Sequence, residues 1–113
     1  MELSILEDSD SLTRVALRGR LDTEGVDQVE AKFNAAIAPS GKNTIVDFTE
    51  VTFLSSMGVR MLLTMARVLN RRKAKLVLQG PQALVHESLR HSALDELIPV
   101  AADEAAARAL LPA

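Results

Sequence analysis

Two adjacent serines stand directly before an apolar segment with helical spacing. Ser55 and Ser56 precede the run that begins at Met57. A hydroxyl at the start of a helix can accept a hydrogen bond from a free backbone N–H, which makes it an N-cap. It can also carry a phosphate, whose charge would lie at the positive end of the helix dipole. By itself, the position of Ser56 therefore predicts a plain cap, at which a phosphate would be compatible with the fold.

A serine hydroxyl can also be a hydrolytic nucleophile if a histidine serves as its base. The two histidines are His86 and His91, and the sequence Ser55-Ser-Met-Gly58 lacks the Gly-x-Ser-x-Gly elbow. There is no cysteine, and the histidines do not have metal-ligand spacing. No glycine-rich phosphate loop is present, so any nucleotide would belong to a partner. We therefore predict a protein that is not an enzyme and that has no cofactor or metal.

The elements that must position these serines follow from the apolar pattern and the turn residues. Short strands alternate with amphipathic helices after an opening hairpin. The predicted strands are Leu3–Leu6, Arg14–Leu17, Thr44–Phe48, Lys75–Leu78 and Leu97–Val100, and the predicted helices are Glu24–Ala38, Met57–Arg71, one opening at Pro81 and one capped by Asp103. The order β-β-α-β-α-β-α-β-α predicts an α/β fold with a mixed, mainly parallel sheet of four to five strands and about four helices.

The composition favours one globular domain and argues against several classes of partner. With 113 residues, 48% of them apolar, residues 1–113 are predicted to form a single domain. The balance of 13 basic and 15 acidic side chains, with only three aromatic residues, predicts no binding to nucleic acid. No apolar run reaches the roughly 20 residues that span a bilayer. Without cysteines or a signal peptide, a cytoplasmic location is expected.

Several motifs, in order along nearly the whole chain, together resemble the STAS domain of bacterial anti-sigma factor antagonists. They are Gly19-Arg-Leu-Asp22, the strand and loop Thr44–Phe53, the motif Phe53-Leu-Ser-Ser-Met-Gly58 and the later segment Leu89-Arg-His-Ser-Ala-Leu-Asp95. In that family, the phosphorylated hydroxyl lies two positions before the glycine, which is Ser56 here. Ser55 replaces the usual aspartate and is a second candidate acceptor, and Met57 replaces a second hydroxyl residue.

The resemblance implies a partner-switching function. The unphosphorylated form would bind a serine protein kinase that is also an anti-sigma factor and that carries its own ATP site. Phosphorylation of Ser56 would release it, and a PP2C-type phosphatase would restore it. The alternative is a STAS subunit of a transporter or other regulatory complex without phosphorylation, and a weak homodimer is left open.

The residues around Ser56 are candidates for partner binding. Asp22 is expected at the same end of the sheet, where it would cap a helix, orient Ser56 or contact the partner. Gly58 would let a partner backbone approach or serve helix packing, and Arg60 lies four residues after Ser56. Met57, Met61 and Met65 form a line beside a predicted core stripe of Val59, Leu62, Leu63, Ala66 and Leu69. A helix this apolar is either buried on two sides or shares the methionine line with a partner, and we favour the interface.

Overall fold

Five strands form one sheet in the spatial order β1-β2-β3-β4-β5 in the computed structural model, which describes residues 1–91 and 97–111. The elements are β1 (Glu2–Asp8), β2 (Leu12–Leu21), α1 (Thr23–Ile37), β3 (Asn43–Leu54), α2 (Ser56–Arg71), β4 (Leu76–Gln79), α3 (Ala83–His91), β5 (Val100–Ala101) and α4 (Glu104–Ala109). The predicted α/β class and element order are confirmed. None of the helices in the described part of the chain has the length and apolar character needed to cross a membrane.

The sheet is mixed because only its first pair of strands is antiparallel. β1 and β2 form a hairpin whose turn is closed by a 2.9 Å hydrogen bond from the Ser9 backbone N–H to the Leu12 carbonyl. β2, β3, β4 and β5 run parallel to one another. Parallel neighbours end at the same edge of the sheet, so the segments that follow β2 and β3 emerge side by side.

The two faces of the sheet are covered unequally. One face packs against α1, α2 and α3 in a large apolar cluster that includes the fully buried Phe33, Phe48 and Leu62. Alternate residues of the same strands point the other way, as the period of a strand requires. There Ile45 and Val77 form a smaller cluster with Ala107 of α4. The three longer helices therefore form one layer on the first face of the sheet, and α2, which begins at Ser56, belongs to that layer.

Four strands differ in length from the sequence prediction. β1 (Glu2–Asp8) and β2 (Leu12–Leu21) are longer than the predicted Leu3–Leu6 and Arg14–Leu17, because they pair with each other beyond those bounds and β2 pairs further with β3. β3 does not stop at Phe48 but continues to Leu54, because its second half pairs with the end of β2, and Val51 and Leu54 are buried there. β5 comprises only Val100–Ala101, where it pairs with β4, so the predicted start at Leu97 is wrong. The family-like segment that ends at Asp95 lies partly outside the described residues.

A group of charged side chains fastens α4 to the back of the sheet. Arg14 on β2 contacts Glu7 at 3.7 Å and Glu104 at 3.0 Å. Arg108 also binds both of these carboxylates. The hydrogen bond from Arg108, together with the positive charges of Arg108 and Arg14, lowers the pKa of the Glu7 carboxyl.

This ion-pair group predicts an acid-sensitive contribution to stability. A carboxyl whose pKa is lowered in the folded state stabilises the fold above its ordinary pKa and loses that contribution as the pH falls through the lowered value. Glu7→Gln should therefore lower the Tm at pH 7, and the difference from wild type should narrow below about pH 4. Thermal melts over this pH range measure it. Glu30→Gln, at an exposed position of α1, is the control. A difference that does not depend on pH would contradict the account.

Candidate functional site

The carboxyl ends of β2 and β3 lie next to each other and bring the candidate residues together. Leu21 is the register partner of Leu54, so Asp22 and Ser55 follow at the same end of the sheet. The Ser55 backbone N–H donates to the Leu21 carbonyl at 3.0 Å, which ties the two loops directly. This meeting of the two loops is the arrangement that the parallel topology predicts.

Ser55, and not Ser56, is the N-cap of α2. Its backbone is extended, with φ −93° and ψ 171°, and its Oγ accepts a 3.2 Å hydrogen bond from the Gly58 N–H. The same hydroxyl donates to the Leu21 carbonyl at 2.9 Å. The interpretation of Ser56 as a cap is therefore wrong, because the helix begins one residue earlier than expected and the cap moves with it.

Ser56 is the first residue of α2, and its side chain is exposed. Within the described part of the chain, its hydroxyl has no hydrogen-bond partner. It lies at the N-terminal end of a 16-residue helix, where the first backbone N–H groups have no partner inside the helix. The two neighbouring hydroxyls thus differ: that of Ser55 is held by two backbone groups, whereas that of Ser56 is available to an incoming group.

Gly58 uses its missing side chain inside the protein. A Cβ at this buried position would come within 2.8 Å of Leu21 Cγ and within 2.9 Å of both the Leu21 carbonyl oxygen and Leu54 Cδ1. Such approaches are too short for a real Cβ, so a side chain here would push α2 away from the two strand ends. The proposed role of Gly58 in admitting a partner backbone is therefore replaced by the packing role.

The methionine line of α2 is mostly core. Met61 and Met65 are each only 2% exposed and belong to the large apolar cluster, whereas Met57 is 37% exposed. The prediction that Met61 and Met65 line an exposed interface is wrong, because α2 packs on both the sheet and α1. Leu63, which the sequence pattern predicts as a core residue, is only partly buried. The helix is rotated relative to the predicted stripe, and only Met57 of the line reaches the surface.

Arg60 presents a cation on the Ser56 side of the helix. It is exposed and lies four residues after Ser56, where side chains share one helix face. No ion pair joins it to any residue in the ranges 1–91 and 97–111. Its guanidinium is therefore free to meet an anionic group at the head of α2.

Asp22 organises its own loop. Its Oδ1 accepts a 2.8 Å hydrogen bond from the Gly25 N–H, which caps α1, and its Oδ2 pairs with Arg20 Nε at 3.3 Å. The Gly25 bond, followed by the contact with Arg20, lowers the pKa of the Asp22 carboxyl. The cap interpretation of Asp22 is confirmed. No hydrogen bond joins it to Ser56 in the described structure.

A contact that the sequence analysis missed lies beside the serines. The Arg20 guanidinium stacks over the Phe53 ring, 4.4 Å from its centroid, and the two residues are register partners on β2 and β3. Phe53 is 40% exposed, two residues before Ser55. The pairing could have been found only with the correct length of β3, since a strand ending at Phe48 leaves Phe53 in a loop.

Both histidines lie on α3, where neither is positioned as the base of a serine hydrolase. His91 Nε2 is 3.9 Å from the Glu87 carboxylate, and His86 is half-buried on the same helix. No hydrogen bond joins either histidine to the two serines among the described residues. In that same part of the chain, no cluster of three or more acidic or histidine side chains is arranged to hold a metal ion.

Sequence comparison matches residues 5–99 to a family model described as "Mlab, STAS domain". The chain is also 27% identical, over 100 residues, to BtrV of Bordetella bronchiseptica, a proposed anti-sigma factor antagonist. That match covers 88% of this chain and 86% of BtrV. The family match includes all the candidate site residues described above.

Solved structures share the fold. An anti-sigma factor antagonist from Mycobacterium paratuberculosis has a TM-score of 0.77 and 22% identity, with 96% of this chain and 92% of that chain covered. Unphosphorylated SpoIIAA, an anti-sigma factor antagonist, gives 0.70 and 22% over 88% and 87%, and the phosphorylated form of SpoIIAA, from Bacillus, gives 0.62. The murine anion transporter Slc26a9 gives 0.75 and 16%, with 91% of this chain but only 18% of the transporter covered.

The division of roles between the two serines predicts unequal effects on stability. Ser55→Ala removes the acceptor of the Gly58 N–H and should cost about 1 kcal/mol, which lowers the Tm by roughly 4 °C. Ser55→Asp keeps an acceptor for the Gly58 N–H but loses the hydrogen bond that the hydroxyl donates to the Leu21 carbonyl, so it should recover only part of this loss. Ser56→Ala, at the neighbouring exposed hydroxyl, is the matched control and should change the Tm little. Thermal and urea unfolding measure the series, and equal losses for the two alanine variants would contradict the assignment of the cap.

Proposed function

This chain belongs to the STAS domain family, and we propose that it is an anti-sigma factor antagonist whose binding to a serine kinase is switched by phosphorylation of Ser56. The observation that carries the proposal is the exposed Ser56 hydroxyl at the head of α2, which has no hydrogen-bond partner among the described residues, beside a Ser55 hydroxyl already held by Leu21 and Gly58. A kinase can reach the Ser56 hydroxyl without disturbing the fold. To modify the Ser55 hydroxyl, it would have to break the cap of α2.

The proposed cycle has two covalent steps. The unmodified protein binds a serine kinase that also acts as the anti-sigma factor, and it thereby releases the sigma factor. The kinase transfers the γ-phosphoryl group of its own ATP to Ser56 Oγ, which yields ADP, a phosphate ester and the proton of the hydroxyl. A PP2C-type phosphatase then hydrolyses the ester and restores the hydroxyl. Because the proposed partner uses ATP, we expect this exchange to occur in the cytoplasm.

The head of α2 suits a phosphate electrostatically. The phosphate adds nearly two negative charges at pH 7, close to the positive end of the helix dipole and to its first free backbone N–H groups. Arg60, one turn along, offers a further cation that makes no ion pair with the described residues. The modified protein therefore stays folded, and the change falls on its surface.

The partner-binding surface follows from which predicted residues are exposed. Met57 and Arg60 face solvent beside Ser56. Asp22 follows the neighbouring strand β2 at the same end of the sheet. Ser55 and Gly58 act from beneath, since the first caps the helix and the second lets it approach the strand ends. Met61 and Met65 support the helix from the core. The proposed contact surface is therefore the start of α2 and not its whole length.

A second candidate function is a STAS subunit of a transporter or another complex that is not phosphorylated. The fold match to a segment of an anion transporter is the observation that favours this second candidate. In that case, the same end of the sheet would bind its partner permanently. The two functions differ in one observable, which is the chemical modification of Ser56.

A phosphorylation assay tests the proposed function. The wild-type protein, Ser56→Ala and Ser55→Ala are incubated with ATP and a serine kinase of the anti-sigma factor class from the same genome, and are then analysed by intact mass and peptide mapping. We expect one phosphate on wild type and on Ser55→Ala, and none on Ser56→Ala. Continued modification of Ser56→Ala would move the acceptor to Ser55. An unmodified wild type that still binds a transporter component would favour the second candidate.

A further inference from the structure

An apolar groove lies beside the Ser56 loop, between the end of β3 and α3. Its volume is about 310 Å³. Phe53 and Leu84 form walls, the buried Leu54 and Val85 lie between them, and Glu87 stands at the rim. The groove is continuous with the proposed switch, because the chain runs from Phe53 and Leu54 directly into Ser55.

Large apolar side chains are exposed around this groove. Leu84 is 77% exposed and Phe53 40%, and both line the groove. Single exposed apolar residues are normal on a protein surface, whereas a group beside a concave site marks an interaction surface. The groove therefore has the character of a docking site.

The walls of the groove are held in place before any partner binds. The Arg20 guanidinium covers the Phe53 ring and is itself paired with Asp22. On the other side, Gln82 Nε2 donates to the Thr49 carbonyl at 3.0 Å and ties the start of α3 to β3. A preformed site loses little conformational entropy on binding, which favours affinity.

The charges at the rim indicate the chemistry of the occupant. Glu87 is 61% exposed by side chain, and its described ion-pair partner is His91 at 3.9 Å, a pair only when that histidine is protonated. Across the groove, Arg20 exposes its guanidinium above Phe53. A complementary partner segment would carry an apolar side chain with a basic residue on the α3 side.

We propose that this groove receives an apolar side chain of the kinase, flanked by a basic residue that faces Glu87. The proposal rests on the proposed function and adds a second contact to it, separate from the acceptor hydroxyl. The groove supplies affinity for the partner, and the adjacent Ser56 supplies the reacting group. Occupation by a second copy of this chain is a distinct outcome of the test.

Direct binding and phosphorylation kinetics test the proposal. Calorimetry gives the Kd of the kinase for each unphosphorylated variant, and steady-state assays give KM and kcat for phosphorylation of Ser56. Leu84→Ala should raise Kd and KM about tenfold with kcat unchanged, as expected for truncation of an interface anchor. Glu87→Lys should also raise both constants, and added salt should reduce its effect. Leu6→Ala is the matched control, since Leu6 is 44% exposed on β1 near the opposite end of the sheet.

The outcomes separate this proposal from the proposed function. An unchanged Kd for Leu84→Ala would overturn the groove while leaving the phosphorylation of Ser56 intact. If wild type binds the kinase with a Leu84-dependent Kd but is not phosphorylated, the groove stands and the switch fails. If wild type does not bind, both are overturned. A change confined to self-association in sedimentation would assign the groove to a second copy and overturn the kinase as its occupant.

Discussion

The parallel pairing of β2 with the second half of β3 is the constraint on which the rest of the site depends. It brings Leu21 beside Leu54, and the Leu21 carbonyl then accepts both the backbone N–H and the hydroxyl of Ser55. With Ser55 fixed in this way, its oxygen caps α2 through Gly58. The close approach of the helix requires the missing Cβ at Gly58. The outward position of Ser56 is a consequence of these contacts and does not depend on any contact of its own.

This arrangement divides the structural role and the proposed signalling role between two adjacent hydroxyls. A group that already makes two hydrogen bonds loses them when it is modified, which costs free energy of folding. A free group at a helix N-terminus gains favourable electrostatics when it becomes a phosphate. Replacement of the family's usual aspartate by Ser55 is compatible with this division, because serine and aspartate are equally good N-caps. The proposed switch can therefore change what the protein binds while the cap keeps the helix in place.

Much of this molecule could be predicted from its sequence, because its signals are periodic and local. The element order and the caps Asp22 and Asp103 follow from apolar spacing and short polar side chains. The true length of β3 could not be predicted, since its second half mixes polar and apolar residues and is a strand through its pairing with β2. The burial of Met61 depends on how α2 leans on α1, and the Arg20 to Phe53 contact depends on strand register. Such facts are tertiary, and composition does not contain them.

The central claim is that charge at Ser56 changes the surface and not the fold. Ser56→Asp places a carboxylate at the first position of α2, and its Tm and its Kd for the kinase can be measured on the same preparation. We expect a Tm within about 2 °C of wild type, because acidic residues are favoured in the first turn of a helix. We also expect the Kd for the kinase to rise about tenfold or more. Unfolding of this variant, or kinase binding as tight as that of wild type, would contradict the claim.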